Sequence, residues 1–287
     1  MQKDHSIITV DSGRPGPTIT VMSGVHGDEK DGILAMTRIL AMISSKELII
    51  KAGKVNFIYA NLKAIAKGIR QTEFNFNRIF RPENLLTTAE LNSWERRRAE
   101  TLMPYLDESL ALLDLHSSNN QQSTPFVICE PHSFEIAAKL PTPIISHGWD
   151  IIEAGGTDYY MNTVQTDFGK GYGICFEAGY HGDPESPDRG IQACLIFLAH
   201  FCQAEKKEMP EPNQEPQRII HAYDIYKTIT DFKLERPFAD FEAITKGTLI
   251  GHDGGQEIRA EKDCIIIFPQ KECKGTDEEA FILGLEQ

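Results

Sequence analysis

The sequence lacks any apolar run long enough to cross a bilayer, which argues against a membrane-spanning helix. Its start, MQKDHSIITVDSG, has neither the basic nor the apolar segment of a secretory signal peptide. The six cysteines form no C-x-x-C pair, and Asn-x-Ser/Thr glycosylation acceptors are absent. Such scattered cysteines favour reduced, buried thiols over a disulfide framework. Together these absences predict a cytoplasmic protein without a membrane partner.

Positive charge is also scarce in this chain. The 29 lysines and arginines face 42 aspartates and glutamates, for a formal net charge of -13 over 287 residues. Because nucleic-acid binding needs a basic face, the composition argues against a nucleic-acid partner. Hydrophobic residues make up 41% of the chain, the usual level for a globular protein, so a sizeable core can form. The oligomeric state stays open, a homo-oligomer included.

Composition divides the chain into two parts. Residues 205–217, EKKEMPEPNQEPQ, are polar and proline-rich, which predicts a linker or a long surface loop. Before them, apolar runs alternate with helical patterns, which predicts an α/β layer fold with a mixed, mostly parallel sheet flanked by helices. After them, short alternating runs predict a small β-rich unit. We therefore expect an α/β domain over residues 1–208 and a β-rich C-terminal domain over residues 218–287. The predicted helices of the first domain cover residues 32–43, 88–105 and 190–202.

Four short apolar runs of the first part each lead into a polar residue near their carboxyl end. The runs and residues are 18–22 with His26 and Glu29, 55–60 with Asn61, 110–116 with His116, and 172–179 with Glu177. In a mostly parallel sheet these ends lie at one edge, so the polar groups can converge there.

His26, Glu29 and His116 form a candidate metal site. The H-x-x-E spacing of the first two allows one turn of chain to supply a nitrogen and an oxygen ligand. Two imidazoles and one carboxylate leave a fourth position open for water, which is typical of catalytic zinc. Asp114 shares a strand face with His116 and is a candidate to orient that ring. Each pattern alone also fits a solvated loop or strand end. Taken together, they predict one zinc ion per chain.

Glu177 is the candidate general base of such a site. A zinc hydrolase needs a base to accept a proton from water and pass it to the leaving nitrogen. The apolar GICF before Glu177 predicts burial, which would raise the pKa of the carboxyl. Arg70 is a candidate to polarise the scissile carbonyl, and Asn77 with Arg78 suits a substrate carboxylate.

The motifs GVHGDEKDG, NLKAIAKGIR…FNFNRIF, LLDLHSS and CFEAG resemble, in order and spacing, the succinylglutamate desuccinylase/aspartoacylase family of zinc carboxypeptidase-like hydrolases. The resemblance covers residues 18–182, and the β-rich tail is similar in type to the family's C-terminal domain. It implies one zinc ion and hydrolysis of an N-acyl amino acid. The implied roles are zinc ligands for His26, Glu29 and His116, general base for Glu177, carbonyl polarisation for Arg70, and substrate-carboxylate binding for Asn77 with Arg78.

The chain also departs from this family. NLKA stands where the family has NPRA, and FNFNR where it has DLNR. No arginine lies between Arg98 and Arg189, whereas aspartoacylases proper have a second carboxylate-binding arginine where this chain has Asp167. Lys170 is the nearest cation. Because a buried unpaired carboxylate is costly, we expect N-acetylaspartate not to be the substrate. A monocarboxylate or a basic amino acid product fits better, with Asp167 as an amine partner.

Two other functions remain as alternatives. A zinc carboxypeptidase acting on peptides would need an open cleft, which the β-rich tail would close if it folded over the site. A non-catalytic zinc-binding relic would have no need of a base, whereas this chain has Glu177. We therefore favour a zinc-dependent amidohydrolase that acts on linear amides. In the same region, WERRRAE (residues 94–100) predicts a solvated helix face whose charges offset each other.

Overall fold

A large mixed β-sheet organises the chain in its computed structural model, which describes residues 5–287. The strands are β1 (Ile7–Asp11), β2 (Thr18–Ser23), β3 (Lys54–Tyr59), β4 (Ala111–Ser118), β5 (Phe126–Ile128), β6 (Ile144–His147), β7 (Gln165–Thr166), β8 (Gly169–Lys170), β9 (Tyr172–Tyr180), β10 (Arg218–Lys227), β11 (Asp231–Leu234), β12 (Glu242–Ile244), β13 (Leu249–Asp253), β14 (Gln256–Arg259), β15 (Cys264–Ile267), β16 (Glu272–Lys274) and β17 (Glu279–Glu286). The α-helices are α1 (Lys30–Ser44), α2 (Leu62–Lys67), α3 (Thr88–Leu91), α4 (Trp94–Asp107), α5 (Phe134–Ala137), α6 (Trp149–Ile152), α7 (Thr157–Met161) and α8 (Ser186–Cys202). Short 3-10 helices cover Phe76–Arg78, Glu83–Leu85 and Pro131–Ser133.

The order of strands in the large sheet is β1-β3-β2-β4-β9-β5-β6-β10-β17-β15-β12. The four neighbours β3, β2, β4 and β9 are parallel to one another. Strand β5 runs antiparallel to β9, and the C-terminal strands β10, β17, β15 and β12 pair antiparallel. The predicted mixed α/β sheet, with helices on it and a β-rich C-terminal region, is confirmed. The parallel strands of its first half bring their carboxyl ends to a common edge.

The alternation of side chains along the central strands gives the sheet a core on each face. One core contains Val21 of β2 and Leu113 of β4, packed against helices α1 and α8 through residues such as Met36 and Phe197. The other contains Met22 and Leu112, their chain neighbours, packed against α4 and α7. Such continuously apolar runs are typical of strands that are buried on both sides.

The helix and cysteine predictions can now be compared with the structure. Helices α1 and α8 cover the first and last predicted helices and extend each by a few residues. The predicted helix over residues 88–105 is wrong as a single element, because it is split into α3 and α4. The side chain of Ser93 caps α4 by accepting a hydrogen bond from the amide of Arg96, which starts a new helix there. All six cysteines are buried and free, as expected.

The C-terminal strands continue the large sheet. Strand β10 pairs parallel with β6 on one side and antiparallel with β17 on the other. A second sheet, in the order β14-β13-β11-β16, lies within the same C-terminal region. Residues 206–217 form no helix or strand, in agreement with the predicted loop, and the division into two domains around them stays a prediction. Within the described residues, no helix combines the length and apolarity that a membrane span needs.

Candidate active site

A cavity of about 510 Å³ opens at the carboxyl ends of the parallel strands. His26 and Glu29 reach it from the loop between β2 and α1, and His116 reaches it from β4. Glu177 of β9 lies directly across the strand pair from His116. The predicted convergence of these four residues is therefore present in the structure.

Two glycines let the loop that carries His26 and Glu29 pack closely against its neighbours. A Cβ atom on Gly27 would come within 2.1 Å of the carbonyl carbon of Ala64 in α2. A Cβ atom on Gly32 would come within 2.8 Å of the backbone oxygen of Leu115, which precedes His116. The glycines of GVHGDEKDG thus allow close backbone contact, and this contact fixes the loop beside β4.

The side chains of His26, Glu29 and His116 form a buried group that could hold a metal ion. Each residue has one potential ligand atom that lies within 4.8 Å of the potential ligand atoms of the other two. Nδ1 of His26 is 2.7 Å from Glu29 Oε1, and Nδ1 of His116 is 3.0 Å from Glu29 Oε2. With the three residues only 2–5% exposed, the group is removed from bulk water. Two imidazole nitrogens and a carboxylate are suited to zinc and to several other transition metals.

Polar neighbours lie behind both imidazole rings. Nε2 of His26 lies 3.1 Å from Oδ1 of Asn75, so a proton on Nε2 leaves the Nδ1 lone pair directed into the group. Nε2 of His116 lies 3.1 Å from Oδ2 of Asp114, although the pair is not aligned as a hydrogen bond. Asp114 Oδ2 in turn accepts a 2.5 Å hydrogen bond from the hydroxyl of Thr157 in α7. Asp114 thus occupies the position expected for a residue that supports His116.

The electrostatics of the group favour an ionised carboxylate. Burial opposes ionisation of Glu29, but the coulombic attraction of His26 and His116 outweighs burial and holds its pKa well below the ordinary value. The backbone amide of Ser117 adds a hydrogen bond of 3.1 Å to Oε2. Burial is also the main cause of the lowered pKa of His26, whereas the coulombic effect of Cys175, Asp114 and Glu29 outweighs burial and holds the pKa of His116 well above its ordinary value. A neutral imidazole beside a carboxylate is the state in which both bind metal.

Glu177 has the environment expected of a general base. It is 7% exposed, and its Oε2 atom has no hydrogen-bond partner in the structure. Burial raises the pKa of its carboxyl to about 8. A carboxylate oxygen of Glu177 and a ring nitrogen of His116 lie within 4.8 Å of each other. The side chain lines the cavity beside the metal-binding group.

Arg70 lies next to this group, in the loop that follows α2. Its Nη1 atom donates a 3.3 Å hydrogen bond to Glu29 Oε1, and about half of the side chain is exposed. Arg70 also lines the cavity. Its positive charge is therefore available within the cavity and next to the metal-binding group.

Asn77 and Arg78 also line the cavity, from the 3-10 helix Phe76–Arg78. Oδ1 of Asn77 accepts a 3.3 Å hydrogen bond from the amide of Thr157. The guanidinium of Arg78 is paired with Glu279 of β17 and also contacts Glu153. No sequence pattern indicated these two carboxylates, since Glu279 is 201 residues away in the chain.

Two residues that we expected near the site, Asn61 and Asp167, do not line the cavity. Asn61 is fully buried but caps α2, with its Oδ1 atom accepting from the amide of Ala64, so its expected convergence is wrong. Asp167 is exposed in the turn of the β7–β8 hairpin, and Lys170 is exposed in the same hairpin. Neither residue lines the cavity, so the expected contact of Asp167 with a substrate amine finds no support there.

The expected solvated face of α4 is wrong as well. Glu95, Arg96 and Arg98 are each at most 5% exposed. Glu95 accepts hydrogen bonds from the residues that follow Arg70, and Arg96 donates to the backbone oxygen of Ile79 at 3.0 Å. These charges therefore fix the loop between Arg70 and Ile79 in place. The sequence pattern did not indicate that these charged side chains are buried. Their burial depends on where their hydrogen-bond partners lie in the fold, which the pattern does not give.

The C-terminal region supplies one wall of the cavity. Residues of β16, β17 and the segment before them line it, among them Gln270, Glu272, Glu279 and Phe281. The β-rich tail therefore folds over the site. A carboxypeptidase acting on peptides would need an open cleft at this place.

The chain is similar in sequence to known proteins. Residues 15–147 match the model of the succinylglutamate desuccinylase/aspartoacylase catalytic domain. The succinylglutamate desuccinylase of Pseudoalteromonas atlantica is 25% identical over 278 residues, which cover 88% of this chain and 76% of the relative. The succinylglutamate desuccinylase of Shewanella sp. (strain MR-4) is 24% identical over 286 residues, covering 88% of this chain and 78% of the relative.

Solved structures share the fold at lower sequence identity. The succinylglutamate desuccinylase of Vibrio cholerae superposes with a TM-score of 0.76 at 17% identity, covering 98% of this chain and 85% of that one. The product-bound ectoine utilization protein EutE (DoeB) of Ruegeria pomeroyi gives a TM-score of 0.70 at 20% identity, covering 97% and 88%. The motifs, the matched catalytic-domain model and the shared fold point to one family. The chain is therefore similar to the succinylglutamate desuccinylase/aspartoacylase family of deacylases, whose catalytic domain residues 15–147 match.

Proposed function

We propose that this protein is a zinc-dependent amidohydrolase that removes the acyl group from a small N-acyl amino acid, with Glu177 as the general base. One observation carries the proposal: the buried His26–Glu29–His116 group and the unpartnered carboxylate of Glu177 share a single cavity. A binding relic would have no use for a buried, unpaired carboxylate beside a metal site. A hydrolase needs one.

His26, Glu29 and His116 would hold the metal. Their donor set fits zinc, since both imidazoles face the same carboxylate through Nδ1, and Asn75 orients one of the rings from behind. A zinc ion bound there would polarise the amide carbonyl and make a water molecule more acidic.

Glu177 would handle the protons of the reaction. Its carboxylate accepts one proton from the attacking water, whose oxygen forms a new bond to the acyl carbon. When the carbon–nitrogen bond breaks, Glu177 returns that proton to the departing nitrogen, so the products are a carboxylic acid and an amine. Arg70 lines the cavity with its charge available and would stabilise the negative oxygen that develops on the acyl carbon.

Asn77 and Arg78 would hold the carboxylate of the amino acid part. The amide nitrogen of Asn77 can donate to it, because its interaction with Thr157 uses only the oxygen. Arg78 donates from Nε and Nη2 to Glu279 and from Nη1 to the backbone oxygen of Asn77. A guanidinium has five N–H groups, so Nη1 can donate once more to a substrate.

A small substrate is favoured over a peptide. The cavity has a volume of about 510 Å³, which is the size range of a small-molecule site. Glu279 and Phe281 of the C-terminal region wall it on one side. The peptide-trimming alternative would require this wall to open.

The test is amine release from a panel of N-acetyl, N-succinyl and N-formyl amino acids, measured with zinc-loaded wild-type protein and with Glu177→Gln. We expect turnover of at least one substrate, with kcat reduced at least about 10²-fold in the variant. Bound zinc, measured by metal analysis, should stay near one ion per chain in both proteins. Glu108→Gln, a change outside the cavity at the end of α4, is the matched control and should keep wild-type kcat.

Each part of the proposal can fail separately. If zinc does not bind, or still binds when His116 is replaced by alanine, the assigned ligands are wrong. If zinc binds but only peptides are cleaved, the protein is a carboxypeptidase. If zinc binds and neither panel is turned over, the binding-relic alternative is correct.

A further inference from the structure

Two carboxylates of the protein neutralise the positive charge of Arg78 inside the cavity. Its Nε and Nη2 atoms donate to the two carboxylate oxygens of Glu279 at 3.0 and 2.9 Å, and Nη2 also contacts Glu153. The side chains of Arg78 and Glu153 are 20% and 11% exposed, so water screens these charges poorly. One guanidinium between two carboxylates has a net negative charge. A substrate with two carboxylates would therefore bring one of them into repulsion with Glu279 or Glu153.

A small recess behind Arg78 is also acidic. It has a volume of about 30 Å³, and Asp150 and Asp158 line it together with Glu153. It lies next to the main cavity, because Arg78 and Glu153 line both. Burial raises the pKa of Asp150 to about 7 and that of Asp158 to about 6, because no nearby cation fully offsets the cost of ionising these carboxyls. A positively charged substrate group in the cavity would offset part of that cost.

We propose that Glu279 and Glu153 make this site selective for N-acyl amino acids that have a single carboxylate and a cationic side chain. The inference rests on the proposed deacylase function and specifies its substrate class. The single carboxylate would meet Asn77 and the remaining donor of Arg78. The ammonium or guanidinium of the side chain would pair with Glu279 and Glu153, in place of the second carboxylate of a dicarboxylic substrate. Such a substrate would add no net charge to this end of the cavity, whereas a dicarboxylic substrate would add two negative charges.

The test compares three substrates of similar length and different charge. They are Nα-acetyl-L-lysine, N-acetyl-L-norleucine and N-acetyl-L-glutamate, and kcat/KM is measured for each with the zinc-loaded protein. We expect the lysine derivative to be preferred over the other two by about tenfold or more, the factor that one partly buried charge pair supplies. In Glu279→Gln, and separately in Glu153→Gln, the preference for lysine over glutamate should fall about tenfold, mainly because the glutamate derivative improves.

Glu286→Gln is the matched control. Glu286 also lies in β17 and also pairs through both oxygens with an arginine, Arg218, at 2.9 and 2.8 Å. That pair is exposed and outside the cavity, so removing its charge should leave the substrate preference unchanged. Thermal unfolding of each variant will show whether a loss of selectivity comes from a loss of folded protein.

Two outcomes overturn the inference while leaving the deacylase function intact. One is faster wild-type turnover of the glutamate derivative, and the other is an unchanged preference in both Glu279→Gln and Glu153→Gln. If no substrate is turned over at all, the proposed function fails, and calorimetric binding to the Glu177→Gln protein decides the charge preference. Tighter binding of the lysine derivative supports the inference there. Tighter binding of the glutamate derivative, or binding of neither, overturns it.

Discussion

The hydroxyl of Thr72 donates a 2.5 Å hydrogen bond to Oε1 of Glu95, a carboxylate with no exposed surface in the first turn of α4. The backbone amides of Thr72 and Glu73 donate to the same oxygen at 2.9 and 3.3 Å. These donors follow closely on Arg70 and precede Asn75, which orients His26. One buried charge on a helix thus fixes the loop on which several candidate site residues lie.

Replacing Glu95 by alanine should both destabilise the protein and reduce its activity. The change leaves one buried donor and several partly buried ones without an acceptor, so we expect a loss of about 3 kcal/mol in the free energy of unfolding. Deacylase kcat/KM should also fall, because the loop with Arg70 and Asn77 loses its support. Urea unfolding and the amine-release assay measure the two effects. Glu100→Ala is the control, since Glu100 is half exposed in the same helix and its ion pair with Arg96 should contribute less than about 1 kcal/mol. Equal stability of the two variants would contradict this account.

Asn75 should tune metal affinity. Its Oδ1 atom lies 3.1 Å from Nε2 of His26 and also accepts from the amide of Asn77 at 3.0 Å. Asn75→Ala removes the orienting acceptor, so zinc affinity should fall about 10- to 100-fold. Asn75→Asp keeps an acceptor of the same shape and adds negative charge, which makes the imidazole a better ligand. Competition with a chromogenic chelator measures both affinities. The predicted order is Asp above Asn above Ala, and any other order would show that Asn75 does not act through His26.

The pH dependence of kcat/KM should report the ionisation of Glu177. As the proposed general base, Glu177 would act in its carboxylate form, so activity should rise with pH through the pKa of this group. Burial raises that pKa from 4.5 to about 8, and the positive charge of a bound metal ion shifts it back toward the lower value. We therefore expect the midpoint of the acidic limb between these two values. A midpoint at or below 4.5 would mean that Glu177 is not desolvated in the working enzyme.

The candidate metal-binding group could be predicted because its signals are local in the sequence. His26 and Glu29 lie within one turn of chain after an apolar strand, and His116 lies near the end of another. The parallel order of β2, β4 and β9 then brings these residues together without further information. Glu177 could be predicted for the same reason. Its register opposite His116 follows from β4 and β9 being neighbours.

The residues that support the site could not be predicted in this way. The pattern WERRRAE has the charges of an exposed helix, yet Arg98 donates to the backbone oxygen of Ala60 at 2.8 Å and is buried. Such burial depends on where distant backbone carbonyls lie, and hydrophobic periodicity contains no information about them. The partner of Arg78 is equally remote in the sequence. Glu279 reaches Arg78 because its strand, β17, is part of the large sheet.

Asp150 should make the stability of the protein depend on pH. Its pKa in the folded state is raised from 3.8 to about 7, first by burial and then by repulsion from Asp158, so the folded state holds the proton more tightly. The stability that this provides is fully present below the unfolded value of 3.8 and is lost as the pH rises through about 7. An asparagine side chain at this position would resemble the protonated form and could still accept from Asn162, whose Nδ2 lies 3.0 Å from Oδ2 of Asp150.

Asp150→Asn should therefore raise the free energy of unfolding at about pH 8 by roughly 1 kcal/mol, after a discount for partial exposure, and raise it by clearly less at about pH 5. Urea unfolding at both pH values measures the difference. Asp188→Asn is the control, because Asp188 is exposed on α8 and its replacement should give no such gain at the higher pH. An equal gain for Asp150→Asn at both pH values would show that the carboxyl is not held in its protonated form by the fold.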